Sequence, residues 1–305
     1  MQGIKTKDFS FSLHASLLAA FSNEVNVATY EAIFFWMALV IYALAGGGYI
    51  YALVFRNERI IPKLLILISA GLLVHTGAVA ARYYAQGHFP WSTDYENGLM
   101  GGWFIILSTL YVAWRQKALR VFAVATVPTA MLIMGYGVMR NPTLAPMAAT
   151  LKSFWLAIHV FFAWLSFGAY VLAMAAGVIY LLKERAAARG TASAEDRFAD
   201  LTPERLDDLM FKYLVFGFIA NAIMIAAGSI WAKDLWGAYW SWDPVETWSL
   251  ISWLTYGAAI HLRVTMGWRG TRFSWLMIGA LLTVIINFFG VSILMKSSVH
   301  VFKMS

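Results

Sequence analysis

Along the 305-residue chain, apolar stretches long enough to cross a bilayer alternate with short polar ones. The apolar stretches cover about 31–55, 64–84, 99–114, 118–139, 153–182, 209–231, 247–266 and 273–294, the third being short. A hydrocarbon core takes about 20 helical residues to cross, so each stretch predicts one span. The pattern predicts an all-α polytopic membrane protein, a bundle of about eight transmembrane helices. Between them the polar segments 85–98, 140–152, 231–246 and 295–305 alternate with 56–63, 114–120, 183–212 and 262–272.

Composition narrows the class. The chain is 61% hydrophobic and 13% charged, against about 45–50% and about 25% in soluble domains. This excludes a soluble enzyme, a disordered tail and a disulfide scaffold, and there is no cysteine to supply a thiolate or redox pair. The net charge of +7 has a topological reading rather than a nucleic-acid one. Of 23 Lys and Arg, 15 fall in the second set of polar segments, so the positive-inside rule makes those cytoplasmic and puts both termini outside. Residues 1–30 lack a long apolar core and a small-residue cleavage site, so they read as an uncleaved external segment. Residues 31–294 read as the membrane domain, with 183–208 a charged cytoplasmic connector bearing one short helix, and 295–305 as an external tail. The sequence shows no internal repeat and no low-complexity tract.

Candidate chemistry sits in the external segments and at ionisable residues inside the spans. Six of the 14 tryptophans fall between 231 and 253. An aromatic belt accounts for indoles at this depth, but not for the string Trp236-Gly237-x-x-Trp240-x-Trp242-Asp243. Asp243-Pro244-Val245-Glu246 has its own structural reading: N-cap, proline at N1 and acid at N3 of the seventh helix. The other indoles form large π faces beside a lipid boundary, suited to a flat conjugated ligand such as a porphyrin.

The six histidines sort by height. His159 and His300 both lie near the external ends of their helices, within reach of the Trp segment and at one level. His261 lies 15 residues along helix seven from Glu246, about 22 Å deeper, so it implies a second position. His75 on helix two is an alternative partner for His261, about 7 Å off in height. His88 is external, and either bonds its own loop or contacts a ligand; His14 is incidental. Arg82, Arg140, Lys152 and Lys233 face outward, where a ligand's carboxylates would need cations, although interfacial snorkelling explains each one as well. Asn221 and Asn287 read as contacts between helices, and the glycine runs 46–48 and 101–102 as close-packing positions.

The segment 236–263, WGAYWSWDPVETWSLISWLTYGAAIHLR, resembles the tryptophan-rich WWD signature of the heme-handling proteins of cytochrome c maturation. Length and span number are similar to those of the CcsA (ResC-like) subunit of the system II cytochrome c synthase. The segment 82–98, RYYAQGHFPWSTDYENG, is similar to the Arg…Gly-His-Phe-Pro…Tyr-Glu stretch of the same family. The resemblance implies an external heme held between His159 and His300 at Trp236, Gly237, Trp240, Trp242, Asp243 and Glu246, with His88 and Arg82 nearby. It implies a deeper heme on His261, in the segment Ile260-His261-Leu262-Arg263, whose second ligand comes from a CcsB (ResB-like) membrane partner. The expected heme is heme b, non-covalent, substrate as well as cofactor. The expected product is heme joined to the Cys-x-x-Cys-His of apocytochrome c, at the bacterial inner membrane or a thylakoid membrane. Two other classes compete. A membrane cytochrome b type electron-transfer subunit would clamp its hemes between histidines of matched height, and only the external pair matches. A transporter or plain heme exporter would gather ionisable residues near the midplane, whereas these gather at one end.

Overall fold

In the computed structural model the backbone is described for residues 5–140, 143–144, 151–190 and 200–291, and side chains from residue 27 onward within those ranges. The described residues form eight α-helices: α1 (Lys5–Val54), α2 (Ile61–Gln86), α3 (Asp94–Arg115), α4 (Ala123–Val138), α5 (Phe154–Ala188), α6 (Pro203–Trp236), α7 (Pro244–Thr265) and α8 (Gly270–Ile285). Short 3-10 helices, Glu58–Ile60 and Lys117–Phe122, lead into α2 and α4, and α8 ends in a π-helical turn, Ile286–Gly290. No strand occurs among the described residues. Seven of the helices are long and apolar enough to cross a membrane, and the chain is an all-α, multi-pass membrane protein. The eighth, α7, is the polar one, carrying Glu246, Ser249, Ser252, His261 and Arg263 within 22 residues.

Three helices run further than the apolar pattern alone indicated. Helix α1 starts at Lys5 rather than near 31, because no glycine or proline interrupts residues 5–45. Helix α5 continues to Ala188, ahead of Gly190 at positive φ. Helix α6 runs on to Trp236 and stops at Gly237, whose φ of 78° closes it in the left-handed conformation that glycine adopts freely. The described parts of the 183–208 connector are thus the end of α5 and the start of α6, which Thr202 caps, and the rest of the connector lies outside the described residues.

Helix α5 is the most deeply buried of the seven spans and carries the interface between the first four helices and the last three. Close contacts rest on glycine: a methyl on Gly101 would lie 2.5 Å from Trp164, and one on Gly98 would lie 2.5 Å from the Gly137 Cα. The first contact joins α3 to α5, the second brings α3 and α4 together backbone to backbone. Tyr42 of α1 lies against Gly71 of α2, with its hydroxyl 3.3 Å from His75 Nδ1. Tyr170 of α5 lies against Gly217 of α6 and accepts a bond from Asn221 Nδ2 at 3.3 Å. It also stacks face to face on Tyr256 of α7, ring centres 3.6 Å apart. Asn287 donates to Ser249 Oγ at 3.0 Å, tying the π-helical turn to α7. Both asparagines therefore make the interhelical contacts expected of them.

Candidate functional site

The loops α2–α3 and α6–α7 lie at one end of the bundle, with the segment after α4. In the first loop Thr93 caps α3 by accepting from Glu96 N–H, and Glu96 reaches back. Its Oε2 accepts from Ser92 N–H at 2.7 Å and Ser92 Oγ at 2.8 Å, while Oε1 takes two bonds from Arg82. Arg82 is 1% exposed; it also pairs with Glu31 of α1 at 3.5 Å, donates to the Thr143 carbonyl, and lies over the Tyr95 ring. The cation that sequence reasoning offered to an external ligand is therefore committed to two buried carboxylates. Nearby, Arg140 pairs with Asp94. His88 Nδ1 donates to its neighbour's carbonyl at 3.0 Å, the loop bond that was one of its two readings. Its buried Nε2, like the buried Trp91 Nε1, meets no hydrogen-bond partner among the described residues.

The second loop is short, 237–243, because Trp231 and Trp236 are carried by α6 itself. Asp243 accepts from Val245 N–H, and Glu246 returns a bond to the Asp243 N–H, the capping box read from Asp-Pro-Val-Glu. Glu246 Oε2 also accepts from Ser241 N–H at 2.7 Å and Ser241 Oγ at 3.2 Å. The carboxylate thus holds the backbone on both sides of Trp242, whose φ of 60° lies in the left-handed region. A large residue there is strained, and the clamp by Glu246 keeps it so. Trp242 is 68% exposed and meets Trp240 edge to face, with ring centres 5.8 Å apart, as Trp236 meets Trp231 at 5.2 Å. The Trp240 Nε1 donor is buried without a partner among the described residues. Asp243 and Glu246 act through the loop backbone, and the indoles form its exposed face.

His159 lies in the second turn of α5, facing α6. Its Nδ1 is 2.9 Å from the Met224 carbonyl; a carbonyl only accepts, so Nδ1 bears the proton and Nε2 the lone pair. This is the arrangement that orients a metal-binding imidazole. Gly228 makes room for the ring, since a methyl there would lie 2.5 Å from Nδ1. His261 is exposed on α7 with Thr265 Oγ1 at 3.3 Å, whereas His75 of α2 is fully buried against Tyr42 of α1. The structure does not bring those two together. His300 lies outside the described residues, as does the side chain of His14. At the bundle end opposite the tryptophan loop, Arg263 pairs with Asp207 and Asp208, and a cavity of about 780 Å³ is lined by Tyr180, Asp207, Trp268 and Arg269.

Residues 91–299 match the family model described as cytochrome C assembly protein. The chain belongs to the cytochrome c assembly protein family. Its relatives include the cytochrome c biogenesis protein CcsA of Guillardia theta, 29% identical over 296 residues, 90% of this chain and 94% of that one. The CcsA of Prochlorococcus marinus (strain NATL1A) is 31% identical over 262 residues, 76% and 82% of the two chains. Among solved structures, the cytochrome c heme lyase CcmF shares the fold, with a TM-score of 0.65 at 19% identity over 86% of this chain. The family member described here spans 46% of that chain. The likeness to CcsA drawn from the tryptophan and Gly-His-Phe-Pro segments is borne out, and the chain is a membrane protein of cytochrome c biogenesis.

Sequence reasoning missed Glu31, Met224, Gly228 and Ser241. The serine was legible beside a capping acid. The other three act from helices distant in sequence, and only packing reveals them.

Proposed function

We propose that this protein receives heme from the cytoplasmic side, carries it to the tryptophan-loop end and presents it there for attachment to apocytochrome c. The observation that carries this is the His159 hydrogen bond to Met224 O, which orients the imidazole through Nδ1 at the tryptophan-loop end and leaves Nε2 as the nitrogen of ligand type. In this reading His300 is the opposing ligand, and Trp236, Trp240 and Trp242 supply the apolar faces. Gly237, Asp243 and Glu246 hold those faces in place, the buried Trp240 Nε1 offers a hydrogen bond to a carboxylate, and His88, whose Nδ1 donates within its loop, offers Nε2 as an acceptor or, when protonated, as a second donor. Arg82 acts one step removed, by fixing the α2–α3 loop.

His261, exposed on the flank of α7, fits a deeper ligand position completed by a second membrane chain of CcsB (ResB-like) type. The exposed imidazole and the enclosed His75 favour a partner's histidine over an internal pair. Heme supplies the vinyl groups and the apocytochrome its Cys-x-x-Cys-His thiols; this chain orients, excludes water and holds the iron. The heme is expected as non-covalent heme b, the chain having no cysteine, in the bacterial inner membrane with the tryptophan loop in the periplasm, or in the thylakoid counterpart.

The test is chemical rescue. His159→Gly is expected to lose holocytochrome formation and low-spin heme absorption, and to regain both when imidazole is added. Trp240→Ala is not rescued, since imidazole cannot replace an indole face. Activity that returns without the low-spin spectrum would show that His159 is not a ligand.

A further inference from the structure

Both halves of the chain build the same set of contacts. Phe34, Trp36, Tyr42, Leu44 and Ala45 of α1 have the spacing of Phe162, Trp164, Tyr170, Leu172 and Ala173 of α5. Tyr42 lies on Gly71 and reaches His75 four residues later; Tyr170 lies on Gly217 and reaches Asn221 four residues later. Each following helix is entered through Trp-Ser, an Asp and a Glu that bonds the serine, Ser92 to Glu96 and Ser241 to Glu246. Trp103 and Trp253 stand seven residues beyond those glutamates. Helix α4 packs back on α1 as α8 packs back on α5.

We propose that α1–α4 and α5–α8 are repeats of one four-helix unit, and that one equivalent position, Arg82 or Gly228, decides what each unit's loop end holds. The register follows from the shared contacts. Eleven residues before Tyr42 is Glu31, and eleven before Tyr170 is His159. Eleven residues after Gly71 is Arg82, and eleven after Gly217 is Gly228. In both units these two positions touch: Arg82 pairs with Glu31, and His159 packs on Gly228.

At this touching pair both members differ between the units, and the one on the second helix sets what the first can meet. A helical Cβ leans toward the helix N-terminus, so it stands over the carbonyl four residues earlier. At position 82 a long cation stands there and binds the glutamate opposite. At position 228 nothing does, so the Met224 carbonyl is bare and the His159 ring can approach to 2.9 Å. The first unit fills its end with its own guanidinium, and the second keeps room for an oriented imidazole. Gly228 is thus a positioning residue for His159. Its consequence for heme rests on the ligand role proposed above; the contact itself does not.

The experiment is a double-mutant cycle in the purified full-length protein, using Gly228→Ala, His159→Ala and the pair. Two quantities are measured: melting temperature of the heme-free protein, and low-spin heme per chain after loading. Gly228→Ala is expected to lower the melting temperature only while His159 is present, and to be neutral in the His159→Ala background. It is expected to cut low-spin heme several-fold, with no further loss in the double variant. Gly279→Ala, at a helical glycine with nothing within 4 Å, leaves both unchanged. Additive melting effects, or full low-spin heme in Gly228→Ala beside a loss in His159→Ala, would overturn the positioning role. Coupled melting effects with full heme in both single variants would support the contact and refute the ligand reading instead.

Discussion

The helices α3 and α7 are entered through nearly the same string, Trp-Ser-Thr-Asp-Tyr-Glu and Trp-Ser-Trp-Asp-Pro-Val-Glu. In each, a glutamate turns back to hold the serine before it. Beyond that they diverge. Glu96 gives its other oxygen to Arg82, and the residue before Asp94 is Thr93 in extended backbone, φ −123°. Glu246 instead clamps a turn in which Trp242, before Asp243, stands at φ 60° and is mostly exposed. The same local device thus closes one entry with buried charge and at the other holds a strained aromatic face toward its surroundings. Local rules are broken where a surface must meet something else. The first entry is a strut, and the second is a presentation.

The largest effect is expected at the strut. Arg82→Ala leaves Glu31 and Glu96 buried without their cation, a loss of about 3–5 kcal/mol that thermal melting in detergent would register. Arg82→Lys recovers only part, because an ammonium cannot fork between two carboxylates. A wild-type melting temperature for Arg82→Ala would erase the distinction between the entries. Next comes Glu246→Ala, which removes the acceptor of the bonds to Ser241 and Asp243 and costs about 1–2 kcal/mol. Holocytochrome yield is expected to fall far more steeply than stability, since the indoles lose their frame; parallel decline of the two would show that the loop is only structural. The smallest change is also the most telling. Trp242→Gly relieves left-handed strain and is expected to raise stability by about 1 kcal/mol while lowering yield. Thr93→Gly, at the matching position in the other entry, is expected to destabilise. Equal signs for the two would break the comparison.

Much of this was legible in the chain. Apolar runs placed the helices, and Asp243-Pro244-Val245-Glu246 announced a cap that the geometry matches. Other features escaped for physical reasons. Helix ends depend on the next breaker, so α6 kept Trp231 and Trp236 that hydropathy assigned to a loop. Arg82 read as an available cation because its partners lie 51 and 14 residues away. The internal repeat escaped because the halves differ in loop and helix length. Tyr42 and Tyr170 are 128 positions apart, Gly71 and Gly217 146, and Glu96 and Glu246 150, so no single period aligns them. Contacts conserve what a fixed offset cannot.

Where Gly98 of α3 meets Gly137 of α4, no side chain intervenes. At that level there is no space between the two helices for even a single file of water, and so no path for protons to hop. For a chain proposed to pass a ligand from one side of a membrane to the other, this seam is one that water does not share. One added methyl on either glycine would lie 2.5 or 2.9 Å from the facing Cα, so the two backbones would have to part to admit it.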